Sequence, residues 1–124
     1  MKIKEKDQID QAREHMRDGE GSVLLHHILQ SQDLPSNCRL FARVTLVPGS
    51  SIGEHEHTGE AEIFYILSGH AVMTDNGKTI QMEAGDTCLT NNGSHSIRCT
   101  GSEPVEVLAA IISGAPKLTQ DIQG

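Results

Sequence analysis

An all-β fold, a small jelly roll closed as a sandwich or barrel, is what this sequence predicts, and three observations carry that expectation. Beyond residue 21, short apolar or alternating runs recur at regular spacing with glycine-bearing turns between them. No segment of that region sustains a 3.6-residue apolar period long enough for a helix. Asp75-Asn76-Gly77 falls between two such runs and supplies residues that tolerate the positive φ of a tight hairpin turn. A chain of 124 residues has room for one domain with a real core and not for two, a size that suits a jelly roll.

The first 21 residues are mostly polar and charged, with Ile3, Ile9, Ala12 and Met16 scattered among them and Gly19 and Gly21 breaking the pattern. They read as an arm, loose or with a short helix around Asp7 to Arg17, preceding a barrel at residues 22–114. Ser22 to Leu29 carries Val23, Leu24, Leu25, Ile28 and Leu29, enough apolar surface for a first strand. The adjacent His26 and His27 point to opposite faces of that strand, so they suit packing or interface roles and not a shared ion. Pro35 and its polar neighbours mark a loop over Ser31 to Asn37.

Cys38 to Val47 alternates, with Leu40, Ala42, Val44 and Leu46 on one face and Arg39, Phe41, Arg43 and Thr45 on the other. Alternation alone does not say which face lines a cavity. Were it the second, Arg43 would match a substrate carboxylate in bidentate fashion, although an outward or interface arginine is the commoner role. Glu62 to Leu67 is apolar on both faces, as in the middle of a closed or double-layered sheet. His70 to Thr74 and Lys78 to Met82 form the hairpin around Asn76-Gly77. Thr87 to Thr90, Ser96 to Thr100 and Val105 to Ile112 complete the strands, separated by turns at Glu83 to Asp86, Asn91 to Ser94 and Gly101 to Pro104. Residues 115–124 form a C-terminal tail with little pattern.

Composition excludes several classes of function. The formal charge is −7 and lysine and arginine form no cluster, so nucleic acid is not expected as a partner. The charged N-terminus is followed by no apolar run, which argues against a cleavable leader or a membrane span and makes the cytoplasm the expected location. Cys38, Cys88 and Cys99 are odd in number and lack Cys-x-x-Cys spacing, so free buried thiols are expected. Cys99 shares strand parity with His95, which would let it face the same cavity. Phe41, Phe64 and Tyr65 are the only aromatics, so packing must rest on aliphatic side chains.

Gly49 to Gly69 carries the candidate chemistry. His55 and His57 are separated by one residue, and a period of two puts both imidazoles on one side of an extended chain. Glu62 lies five positions after His57, and Thr58-Gly59 allows the turn that returns it alongside. Imidazole nitrogen with carboxylate oxygen suits one divalent transition metal, whether zinc, manganese, iron, nickel or cobalt. Glu54, Glu56 and Glu60 are nearby acids. Glu56 should face away from the histidines into solvent, and Glu60 would replace Glu62 only through a tighter turn.

The spacing at Gly49, His55, His57, Glu62 and Gly69 resembles the first motif of the cupin superfamily. Gly85-Asp86 followed by Asn91-Asn92-Gly93-Ser94-His95 resembles the second, with Asn91 where that family usually has proline and one residue fewer before the histidine. The two motifs span about 47 residues. The resemblance implies a double-stranded β-helix barrel, similar to the small single-domain cupins that include oxalate-decarboxylase-like proteins. It also implies His95 as a fourth metal ligand and a homodimer, to which an early apolar strand left as an exposed edge would contribute. A site with four protein ligands on an ion that takes six leaves room for a small polar or carboxylate-bearing molecule. The resulting expectation is a metal-dependent enzyme, oxygenase-like or decarboxylase-like, with no catalytic residue assigned. The alternative is a non-catalytic module that binds or senses a small metabolite.

Overall fold

The computed structural model describes residues 1–114, so the C-terminal tail expected at 115–124 lies outside the described residues. Ten strands are described, in chain order β1 (Ile9–Glu14), β2 (Ser22–His27), β3 (Cys38–Leu46), β4 (Ser51–Glu56), β5 (Glu60–Ser68), β6 (His70–Asp75), β7 (Lys78–Glu83), β8 (Thr87–Asn91), β9 (Ser94–Cys99) and β10 (Val105–Ser113). They form two antiparallel sheets. One has the order β1-β2-β3-β10-β5-β8, and the other has the order β4-β9-β6-β7. This is the all-β jelly roll that the strand spacing predicts, and the predicted strands fall within a few residues of the observed ones.

The chain crosses from one sheet to the other at glycine turns. At Gly69, between β5 and β6, φ is +86°, and an added Cβ would overlap the Pro104 carbonyl, so both backbone shape and space require glycine. Asn76 and Gly77 carry φ of +49° and +81°, the two positive values of the expected hairpin turn.

Between the sheets each inward face changes character along its strand. On β5 the inward residues run Glu62, Phe64, Ile66, and on β9 they run His95, Ile97, Cys99, all buried. Leu46, Ile66, Met73, Ile97, Val105 and Val107 are among the fully buried side chains, contributed by both sheets, and they form an aliphatic core toward one end. The other end is polar. His57, Glu62, Thr90 and His95 are buried there against that core.

Two expectations are corrected. The segment before residue 21 is neither a loose arm nor a helix at Asp7 to Arg17: Ile9–Glu14 is a strand, paired with β2 from Ile9 opposite His27 to Glu14 opposite Ser22. Its residues are all exposed, so it has no apolar alternation to betray it. In consequence β2 is not an open edge, because β1 of the same chain covers it. Cys99 does point inward with the parity of His95, but it lies four residues further along β9, within the aliphatic core, and its thiol donates to the Glu103 carbonyl. The three cysteines are free, as expected.

Candidate metal centre

The polar end of the sandwich is assembled from three strands. β4 and β9 pair so that His55 lies directly opposite His95. The pairing contains a bulge: Ile52 is opposite Ile97, so three steps on β4 match two on β9, and the extra residue falls at Gly53-Glu54. A bulge inverts the alternation of faces. Ile52 and His55 therefore both point inward although they are three residues apart. His57 follows two positions later with its backbone N–H on the Gly93 carbonyl, and the chain then turns at Thr58-Gly59 into the other sheet. There β5 presents Glu62 to the same point.

Each imidazole is oriented through its Nδ1. The Gly53 carbonyl lies 2.7 Å from His55 Nδ1, and the Glu60 carboxylate lies 2.6 Å from His57 Nδ1. The Thr90 hydroxyl lies 3.1 Å from His95 Nδ1 and itself donates to Asp75, 2.8 Å away. A carbonyl and a carboxylate only accept, and a hydroxyl that has donated its proton must accept too, so all three Nδ1 atoms carry hydrogen. All three Nε2 lone pairs are thereby left for a common target.

Those Nε2 atoms are 3.1 Å (His55 to His57), 3.1 Å (His57 to His95) and 3.2 Å (His95 to His55) apart. Glu62 Oε1 is 2.9 Å from both His57 and His95. His55 and Glu62 are the widest pair, and all four donors lie within 4.8 Å of one another. Metal–ligand bonds of about 2.1 Å put octahedral neighbours about 3.0 Å apart and opposite donors about 4.2 Å apart, whereas a tetrahedron keeps every pair near 3.4 Å. Five short separations and one long one suit a six-coordinate cation better than a tetrahedral one, and His55, His57, Glu62 and His95 would hold it. Such a cation would keep two neighbouring positions for a small ligand.

Burial makes the donor set demanding. His57, Glu62 and His95 are 2%, 5% and 1% exposed, so water cannot screen their converging lone pairs. Something positive has to sit among them. In the metal-free protein Glu62 raises the proton affinity of His57, against the opposing effect of burial. Burial works to raise the Glu62 carboxyl, but hydrogen bonds from His57 and His95 outweigh it and hold it below the ordinary range. His55 is pushed down, by burial first, and then by the neighbouring histidines and the positive charge of Arg17. The residues present fit a divalent cation.

Glu60 has a role that the sequence reading did not give it. Instead of replacing Glu62 it accepts from His57 Nδ1 and also holds Arg39 through two bonds of 2.8 and 2.7 Å. The Arg39 guanidinium brings its carboxyl down to about 2, so Glu60 stays ionised. Arg39 reaches it through a second bulge. β10 pairs Ile111 with Leu40 and Ile112 with Cys38, which skips Arg39 and frees it from the outward alternation of Phe41, Arg43 and Thr45. Arg43 stays on the outer side, between buried Ala42 and Val44, and is absent from the cavity wall. Glu56 is exposed and accepts from Thr58, a solvated role as expected. His26 bonds Asp10 on the neighbouring strand and Gln8 just before it, while His27 bonds Gln11 and lines the cavity.

That cavity has a volume of about 240 Å³ and opens beside His55, His57 and Glu62. Phe64, Leu25, Leu40 and Ile52 form its apolar side, and Gln11, Arg13, Arg17 and Arg39 form its polar side. A small ligand with an anionic group fits such a wall.

The family model described as "Cupin domain" matches residues 42–111, which run from within β3 to within β10 and include all four donors. The chain belongs to the cupin family. This cupin is 50% identical over 99 residues to the oxalate-binding protein of Thermotoga maritima, a match covering 79% of this chain and 82% of that one. Its fold superposes with a TM-score of 0.85, at 44% identity, on a Thermotoga maritima crystal structure described as a predicted oxalate decarboxylase, covering 91% of this chain and 99% of that one. The Schizosaccharomyces pombe Cnp3 cupin domain matches at a TM-score of 0.69 and 14% identity over 84% of this chain and 69% of its own, a likeness of fold alone.

Proposed function

We propose that this cupin holds one divalent transition metal on His55, His57, Glu62 and His95 and uses it to bind a small dicarboxylate of the oxalate type. The observation that carries the reading is the donor arrangement: buried His57, Glu62 and His95 and half-buried His55 converge beside a cavity whose wall carries Arg13, Arg17 and Arg39. A ligand offering two oxygens on neighbouring carbons suits two neighbouring positions. The six-coordinate pattern favours manganese, iron, cobalt or nickel over tetrahedral zinc. A cation held there supplies Lewis acidity toward a bound carboxylate. The protein's own contribution is to orient three imidazoles through Gly53, Glu60 and Thr90, and to line the remaining wall with apolar and cationic groups.

Binding without turnover is the reading favoured at the level of this chain's residues. Decarboxylation calls for a proton donor beside the ligand, and Glu60, the other acid that contacts the histidines, is committed to Arg39 and His57 and remains ionised. The second reading, an oxygenase-like or decarboxylase-like enzyme, is favoured by the two positions left for a ligand, since a purely structural ion is normally closed by its ligands. Elemental analysis of untagged protein, followed by calorimetric titration with oxalate and an assay for carbon dioxide release, tests both. Metal near one per chain with oxalate binding and no gas supports the binding module, and sustained release supports the enzyme. Protein that takes up no metal refutes the site.

We also place the protein in the cytoplasm as a homodimer. No helix of the described residues is long and apolar enough to cross a membrane. The outer face of the six-stranded sheet exposes Ile63, Tyr65 and Leu67 of β5 beside Leu89 of β8, with Ile63 directly opposite Leu89.

A further inference from the structure

We infer that Arg17, presented by the turn at Met16–Asp18 with Arg13 beside it on β1, receives the anionic end of the ligand bound in the metal cavity. The inference rests on the reading of that cavity as a metal-dependent carboxylate site and adds the group that selects for charge. Both arginines belong to the N-terminal segment, outside the residues matched by the family model.

In a chain of formal charge −7, three of the five arginines, Arg13, Arg17 and Arg39, line this one cavity. Arg39 is engaged by Glu60 through both of its bonds. Among the described residues no carboxylate lies within ion-pair distance of Arg13 or Arg17. Two uncompensated guanidiniums at the mouth of a cavity attract and orient an anion, and each matches a carboxylate with paired N–H groups.

β1 extends the same face to the edge of the sheet. Its residues Gln11 and Arg13 pair with Leu25 and Val23, which face the core, so they carry the inner face of the sheet outward to its edge. Elsewhere along the sheet that face is apolar except at its polar end, where His27, Glu62 and Thr90 stand. An inward-pointing charge also discourages an edge strand from pairing with another chain, which would be sufficient reason for Arg13 alone. It does not account for Arg17, which belongs to no strand.

The turn at Met16–Asp18 is held in an uncommon backbone shape. His15, Arg17 and Asp18 have φ of +49°, +54° and +63°, a left-handed conformation that costs each of these residues energy and that glycine would adopt freely. The turn is fastened in that shape. The Arg17 carbonyl packs so closely on Gly53 that a Cβ there would overlap it, and Gly19 lies equally close to the Ser51 carbonyl. Met16 packs against the core from the same turn. Gly53 is the bulge residue whose carbonyl orients His55, so the backbone that presents Arg17 and the backbone that aims the first imidazole are in direct contact. Arg17 is thus registered against the metal site.

The test uses the full chain loaded with manganese, with oxalate as the probe and uncharged oxamide as its neutral counterpart, followed by calorimetry. Arg17→Gln should keep metal near one per chain and an unchanged thermal midpoint, yet weaken oxalate about tenfold or more, the scale of a charge-assisted hydrogen bond. It should also lose the preference for oxalate over oxamide and flatten the salt dependence of oxalate binding. Arg17→Lys should recover part of the affinity, which a merely structural role would not produce. Arg13→Gln should show the same pattern with smaller amplitude. Should Arg17→Gln fold poorly, the lysine variant and the oxalate-to-oxamide ratio of the wild type across a salt series decide the matter. Metal-replete Arg17→Gln that binds oxalate within about twofold of wild type overturns the arginine's role while leaving the site intact. Wild-type protein that holds manganese but binds no oxalate overturns the ligand reading on which this inference stands.

Discussion

His55 and His95 stand directly opposite each other in the β4–β9 ladder with their Nε2 atoms 3.2 Å apart, each with its other ring nitrogen held by a separate acceptor. Two unprotonated nitrogens facing each other at that distance repel, and a cation placed between them removes the repulsion. Adding manganese at about 100 times its dissociation constant should therefore stabilise the protein by about 2.7 kcal/mol, the mass-action value for one site. Thermal melts with and without a chelator check this. His95→Ala and His57→Ala should each abolish the shift and reduce bound metal to near zero by elemental analysis. Full occupancy in both variants would remove these residues from the site.

Glu60→Gln keeps an oxygen beside His57 Nδ1 but loses the negative charge shared with Arg39. Metal affinity should fall about 10- to 100-fold, the usual cost of altering a group that supports a ligand, while occupancy at saturating metal stays near one per chain. Glu56→Gln, altered in solvent, should leave affinity unchanged. Competition titrations with a metal-binding dye distinguish the two variants.

The metal-free protein should be most stable near pH 6.5. Glu62 has a lowered proton affinity, so its contribution is complete above its ordinary value of 4.5 and is lost as pH falls through the lower folded value. His55 is lowered too, by burial first, so its contribution is complete above 6.5 and declines as pH drops below it. His57 is raised, by Glu62 first, so its contribution is complete below 6.5 and is lost as pH climbs through the folded value. With saturating metal the alkaline decline should disappear, because the ion takes the place of the His57 proton. Melting curves from pH 4 to 9, with and without metal, test the sign on each side. A metal-free midpoint that keeps rising above about pH 7 contradicts it.

Gly53→Ala places a methyl group where the Arg17 carbonyl already is. Overpacking of this kind costs about 1–3 kcal/mol, and here it also moves the carbonyl that orients His55. Denaturant titration should show the loss of stability, and metal affinity should fall with it. An alanine variant with unchanged stability would mean that the turn and β4 are not fastened together.

Ile63→Glu or Tyr65→Glu, on the outer face of the larger sheet, should convert a dimer to a monomer without altering metal content. Light scattering coupled to size exclusion reads the mass directly. A wild-type mass of one chain at high concentration excludes the homodimer.

The convergence of His55, His57, Glu62 and His95 was legible because the signals are local. His-x-His puts two imidazoles on one side of a strand by period alone, and the glycine spacing around it brought the cupin resemblance and with it His95. What escaped the sequence depends on pairing. The bulges at Gly53-Glu54 and at Arg39 each add one residue to one strand, and nothing in the strand's own composition marks the addition. Alternation therefore assigned Arg39 the same face as Arg43, whereas the bulge sets Arg39 on Glu60 at the cavity. β1 was invisible for a related reason: an edge strand with exposed residues on both faces, its inward positions filled by Gln11 and Arg13, has no apolar period to detect. Glu60 was recognised as an acid near the site, but its partnership with Arg39 joins residues 21 positions apart and exists only once β3 and β5 flank β10.

The donors come from both layers of the sandwich, Glu62 from the six-stranded sheet and His55 and His95 from the four-stranded one, with His57 at the crossing between them. A cation held by all four would act as a rivet through the molecule in a chain whose cysteines form no bridge. Unlike a disulfide, that fastening would come undone with acid or a chelator and would re-form without any oxidant, so the mechanical tightness of the open end would follow the supply of metal.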